Sequence, residues 1–147
     1  MGKRRRAREL VLQYLYAETM IENSWETLSE NTVGIKQNDQ ELLEFTGLLF
    51  RKTIAHKDEL DREVAAMLEN WDISRVALID RLILRLALCE FLYFEEIPPK
   101  VTMNEAIDLA KKFSTGESGR FVNGILDALY KKFIGLNRIQ KTGRGLL

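Results

Sequence analysis

A chain of 147 residues, 46% of them apolar, is long enough to bury a core as one domain, or as one domain in two lobes, without disulfides or a structural metal. Its single cysteine, Cys89, excludes a disulfide framework and reads as a small buried apolar residue in a reducing compartment. The 22 basic and 22 acidic residues cancel, but unevenly: residues 1–8 carry five cations and no acid, Glu9 to Asp72 holds fourteen acids against five bases, and the remainder twelve bases against eight acids. Such a layout points to an anionic partner with a defined landing place.

The N-terminus runs from charge straight into an amphipathic pattern with no apolar h-region, so no signal peptide is expected and the expected location is cytoplasmic. The spacing of Ala7, Val11, Leu12, Tyr14 and Leu15 predicts a first helix from about Arg4 to Glu22. Its opening turn holds Lys3, Arg4, Arg5, Arg6 and Arg8. A helix N-terminus disfavours cations by roughly 0.3–1 kcal/mol each, so helix stability does not account for them. Planar guanidinium groups suit phosphate, and Tyr14 and Tyr16 follow closely enough for a base to stack on a ring. The plainer alternative is a solvated or frayed basic terminus, with Tyr14 in the core.

From Asn23 to Asn38 the periodicity fades into a connection, with one short turn pinned by Trp25. Helix resumes with Asn38 as cap and Glu41 completing a capping box, and Leu42, Phe45, Leu49 and Ile54 face inward. A bend is expected at His56, which has no second histidine or cysteine pair with which to form a metal site. The next helix, about Asp58 to Glu69, buries Leu60, Val64, Met67 and Leu68, and Trp71 locks the passage onward.

Ile73 to Phe94 is apolar on every side, with only Asp80, Arg81, Arg85 and Glu90 charged beyond Val76. A helix wet on one side needs only one apolar stripe, so this is the central helix of an all-α domain, capped by Ser74 and covered by several neighbours. Its charges argue against a membrane span, which needs about 20 mostly apolar residues. Pro98 and Pro99 end it. Thr102 and Glu105 open the following helix as a capping box, with Met103, Ala106, Ile107, Ala110 and Phe113 inward and Asp108, Lys111 and Lys112 outward. Ser118 caps the last helix, where Phe121, Val122, Ile125, Leu126, Leu129, Tyr130 and Phe133 recur at helical spacing. Gly124 in mid-helix costs roughly 0.5–1 kcal/mol and implies the close approach of a neighbouring helix. After Gly135 the basic tail has no apolar pattern and is expected to be mobile.

Three segments, RRRARELVLQYLY, LENWDISRVALIDRLILRLALCEFLYFEEIPPKVTMNEAIDLAKKF and ESGRFVNGILDAL, together resemble the NusB transcription antitermination family in order and spacing. The resemblance covers nearly the whole chain, apart from Asn23 to Asn38 and the tail after Phe133. It implies an all-α fold of two packed helical bundles: a three-helix N-terminal part over residues 1–70 and a C-terminal part over 71–134, with 135–147 as a flexible basic tail. It also implies binding of single-stranded boxA RNA from ribosomal RNA leaders together with NusE, a ribosomal protein, in a complex carried by RNA polymerase, without catalysis, cofactor, metal or membrane.

Position by position, the family's arginine-rich RNA-binding start matches Lys3, Arg4, Arg5, Arg6 and Arg8, and its first-helix tyrosine matches Tyr16. The phenylalanine of the KFVNG-like motif matches Phe121, with Arg120 in place of the usual lysine. Asp80 falls on the face used for NusE and RNA, and Glu117 replaces an aspartate often found near the NusE contact. Family members vary between monomer and homodimer, so the resemblance leaves the oligomeric state open. By spacing alone Phe121 is equally a core residue.

Two other function classes fit parts of the pattern. One is a protein-binding helical adaptor whose basic end meets an acidic protein. The other is the RNA-binding appendage of ribosomal RNA cytosine methyltransferases, although no cofactor-binding strand, glycine loop or nucleophile with a base is present in the sequence.

Overall fold

The computed structural model describes residues 2–21, 39–68 and 72–147, and the expectations at Trp25, Asn38 and Trp71 lie outside them. Six α-helices and no strand occur among the described residues: α1 (Lys3–Ile21), α2 (Gln40–Ala55), α3 (Lys57–Met67), α4 (Leu78–Tyr93), α5 (Pro99–Phe113) and α6 (Gly116–Gly135). Short 3-10 turns at Ile73–Arg75 and Gly143–Leu146 complete the order. No described helix is long and apolar enough to cross a membrane.

The chain divides into two compact units, Met1–Ala55 and His56–Leu147. The division falls at the His56 bend and not near residue 70, because α3 packs with α4 and α6. Among the contacts that hold it there, Asp61 accepts two hydrogen bonds from Arg85, at 3.0 and 2.9 Å, and Tyr93 Oη donates to Glu59 at 2.7 Å. In the first unit α1 pairs with α2, burying Leu10, Val11, Tyr14 and Leu15 together with Leu42, Phe45, Leu49 and Phe50. Tyr14 meets Phe50 edge to face at 6.1 Å, so it is the core residue of the first-helix tyrosines. Asp39 Oδ1 accepts from the Leu42 amide at 3.2 Å and supplies the start of α2 with its cap.

The second unit is built on α4, in which every residue from Leu82 to Phe91 is buried, as its all-round apolar pattern requires. Its start differs from the expectation. Asp72, not Ser74, does the capping: its side chain accepts from the Ser74 amide at 3.0 Å and opens the Ile73–Arg75 turn, and α4 proper begins at Leu78. Likewise α5 starts at Pro99, whose fixed φ and missing N–H suit a first helical position. Thr102 is therefore inside the helix, buried, and donates to Glu90 Oε1 at 2.7 Å, which gives the fully buried Glu90 a partner.

The tail is packed, where composition suggested mobility. Asn137, at φ 55°, reverses the chain after α6 in the left-handed conformation that a short polar side chain tolerates. Arg138 then bonds Glu63 at 2.8 Å and lies over the Phe133 ring. Lys141 Nζ donates to the carbonyls of Glu90 and Phe94 at 3.0 and 2.7 Å, closing the C-terminal end of α4. Burial pushes its ammonium below the ordinary lysine value, against the opposing charges of Glu90, Glu96 and Glu95. The Thr142 amide donates to the Glu95 carbonyl at 3.0 Å, and Gly145 sits where a Cβ would collide with that same carbonyl.

Candidate nucleic-acid interface

Two surfaces carry the residues singled out from the sequence, one in each compact unit. In the first unit they lie on α1. Arg5 and Tyr16 are eleven residues apart, so at 100° and 1.5 Å per residue they share a face, roughly 16 Å from each other along the axis. Both are exposed, Tyr16 at 42%, and Gln13 and Met20 are exposed beside them. A helical face with cations at one end and an accessible ring three turns on can meet phosphates and a base at once.

The five cations are not equivalent. Lys3 Nζ is paired with Asp39 at 3.3 Å and Glu41 at 3.5 Å, and the hydrogen bond and charge of Asp39, followed by those of Glu41, hold its ammonium above the ordinary lysine value. Arg6 reaches Glu9 at 3.5 Å, one turn along the same helix. Arg4 lies over the Phe45 ring at 4.5 Å, and Arg8 is over the same ring at 5.8 Å. Arg8 is only 3% exposed, so, contrary to the RNA contact expected of it, it is a buried support of the α1–α2 pair. Lys3, Arg4 and Arg5 are exposed and Arg6 is half-buried. Phe45, read from the sequence only as core, turns out to be the platform that orders two of the guanidinium groups.

In the second unit the residues gather where α6 begins. Thr115 is its cap, accepting from the Ser118 amide at 3.1 Å. Ser118, expected to be the cap, is one turn inside, and its Oγ donates to Asp80 Oδ2 at 3.0 Å. Asp80 is only 6% exposed, so it fastens α4 to the start of α6 and does not face outward as the partner contact expected of it. Glu117 is exposed in the first turn, where the helix dipole favours an acid. Arg120 is exposed, and among the described residues no carboxylate pairs with it, Glu117 three residues earlier included. Phe121 is half-buried and does not belong to the fully enclosed α6 row of Val122, Leu126, Leu129 and Phe133. Part of its ring is therefore open to a ligand.

The glycine expectation moves by five residues. A Cβ on Gly124 would meet nothing within 4 Å, whereas one on buried Gly119 would lie 3.3 Å from Lys111 Cγ. Close helix approach is thus at Gly119, in the segment ESGRF, and Gly124 is exposed to solvent. No cluster of three or more potential metal ligands occurs among the described residues.

The sequence profile of the NusB family matches residues 5–131. The transcription antitermination protein NusB of Salinibacter ruber is 42% identical over 148 aligned residues, covering 100% of this chain and 92% of that protein. Among solved structures, that of T. maritima NusB superposes with a TM-score of 0.80 at 32% identity, over 90% of this chain and 92% of that one. A crystal structure of the antitermination factors NusB and NusE in complex with dsRNA gives a TM-score of 0.79 at 27% identity, over 90% and 98%.

Proposed function

The chain belongs to the NusB family, and from that premise we propose that it is a transcription antitermination factor that binds boxA-type single-stranded RNA of ribosomal RNA leaders together with NusE and travels with RNA polymerase. The observation that carries this reading is the exposed face of α1, where Arg4 and Arg5 precede the accessible Tyr16 ring. On α6 the exposed Arg120 and the half-buried Phe121 supply a further cation and a second ring. Single-stranded RNA suits such a surface because its bases are free to stack and to offer their edges, while the deep major groove of an RNA duplex is closed to side chains. Phosphate contacts set affinity, and NusE completes the reading of sequence. The role is non-catalytic and belongs to the cytoplasm.

The test is a titration of the purified protein with a boxA-type oligonucleotide, a scrambled one and a duplex, each with and without NusE. Selective single-strand binding that sharpens with NusE is expected. Equal affinity for all three RNAs overturns the reading, and NusE binding without any RNA binding replaces it with the adaptor. Tyr16→Ala and Phe121→Ala should each weaken RNA binding 5- to 150-fold, on the order of 1–3 kcal/mol for a lost stacking contact. Neither change should shift the melting temperature by more than about 4 °C, since neither ring is fully enclosed.

A further inference from the structure

We infer that Lys111, at the end of α5, is a further phosphate contact for the RNA, held in place by Gly119 of α6. The inference rests on the reading of the α6 start as an RNA surface and adds to it a residue on a different helix. A Cβ built on Gly119 would come within 3.3 Å of Lys111 Cγ, 3.4 Å of Lys111 Cε and 3.8 Å of Ile107 Cγ2. The aliphatic stem of Lys111 therefore lies against α6 at Gly119, where an added Cβ would crowd it. Apolar stems settle on such surfaces while the charged head stays in water. Lys111 is accordingly exposed although its stem is in contact with α6.

The consequence is positional. With its Cε at Gly119, the ammonium is placed beside the residue that immediately precedes Arg120. Among the described residues neither Lys111 nor Arg120 has a carboxylate partner, in contrast to Lys3 and Arg6 of α1, which are engaged by Asp39, Glu41 and Glu9. Two unneutralised cations thus flank the first turns of α6, whose dipole also favours negative charge, with the half-open Phe121 ring next to them. A polyanion with exposed bases fits that combination: consecutive phosphates for the two cations and a base for the ring. A lysine whose stem is already seated loses little freedom when it binds, so more of its attraction to phosphate appears as affinity.

The experiment measures affinity for the boxA-type single strand across a salt series. Wild type is compared with Lys111→Gln, Lys111→Arg, Arg120→Gln and Gly119→Ala. Lys111→Gln should lower the slope of log affinity against log salt by about 0.7, the value for one phosphate contact on a single strand. Lys111→Arg should retain the slope. Gly119→Ala keeps the charge but displaces the stem. It should weaken binding on its own and have little further effect in the Lys111→Gln background, because both changes act through one side chain.

An unchanged slope for Lys111→Gln, with a reduced one for Arg120→Gln, overturns this inference and leaves the RNA surface standing. Unchanged slopes for both overturn the surface as well. A loss of NusE binding with RNA binding intact assigns Lys111 to the protein partner and overturns the inference. Fully additive effects of Gly119→Ala and Lys111→Gln overturn the positioning role of the glycine.

Discussion

Gly124 and Gly119 separate two reasons for which a helix tolerates glycine. At Gly119 an added Cβ would crowd the Lys111 stem at 3.3 Å, so the missing side chain serves the packing there. At Gly124 the surroundings are open, and the residue carries the entropic cost of glycine with no intramolecular return. Gly124→Ala should therefore raise stability by about 0.5–1 kcal/mol, read as a higher urea midpoint with an unchanged m-value. The sequence reading singled out Gly124 alone, but which glycine faces a neighbour depends on how α6 is rotated against α5. The periodicity of one helix does not say which of its residues meets which neighbour. The same limit explains the caps, where Asp72, Thr115 and Asp39 do the bonding beside residues of equal capping power.

At the scale of elements, α4 was the most legible part of the chain, because a helix apolar all round has only one place to be. Its ends were less so. The C-terminal end is closed by Lys141, some fifty residues on, and no local rule links that lysine to the carbonyls of Glu90 and Phe94. Lys141→Met should destabilise the protein by about 1–2 kcal/mol, the usual worth of a charged hydrogen bond reduced for a half-exposed group. Paired thermal and urea melts would measure it. Arg138 ties the same segment to α3 through Glu63. Burial alone would raise the Glu63 carboxyl, but the hydrogen bond and charge of Arg138, with those of Lys132, bring it below the usual glutamate value of 4.5. A depressed carboxyl contributes stability above its unfolded value and loses that contribution as pH falls through the folded one. The melting temperature should therefore decline between about pH 5 and pH 3, and Arg138→Ala should decline less over that range.

For the whole molecule, the all-α class follows from hydrophobic periodicity and caps, and the two-part build only from the resemblance to the family. The boundary between the parts follows from neither, because α3 carries an ordinary amphipathic pattern that would suit either side. Part-buried ion pairs such as Asp61–Arg85 decide its allegiance, and pairing partners far apart in sequence leave no local trace. The basic start was equally legible as charge and equally mute about use. Counted as five phosphate contacts, it would give a salt slope near −3.5 by itself, at about −0.7 for each. With Arg8 buried and Lys3 and Arg6 held by acids, Arg4 and Arg5 are the exposed guanidinium groups of the cluster. Their joint replacement by alanine should flatten the slope by about 1.4, whereas Arg8→Ala should act on stability and leave the slope alone.

The two carboxylates that clasp Lys3 have an effect on discrimination. Asp39 and Glu41 already engage the Lys3 ammonium that a phosphate would otherwise meet, and so act as a resident decoy at that residue. Stray polyanions that touch only this end meet an occupied lysine and dissociate. A strand that also lays a base on the Tyr16 ring of the same helix stays longer, so the decoy filters by dwell time what net charge alone would admit.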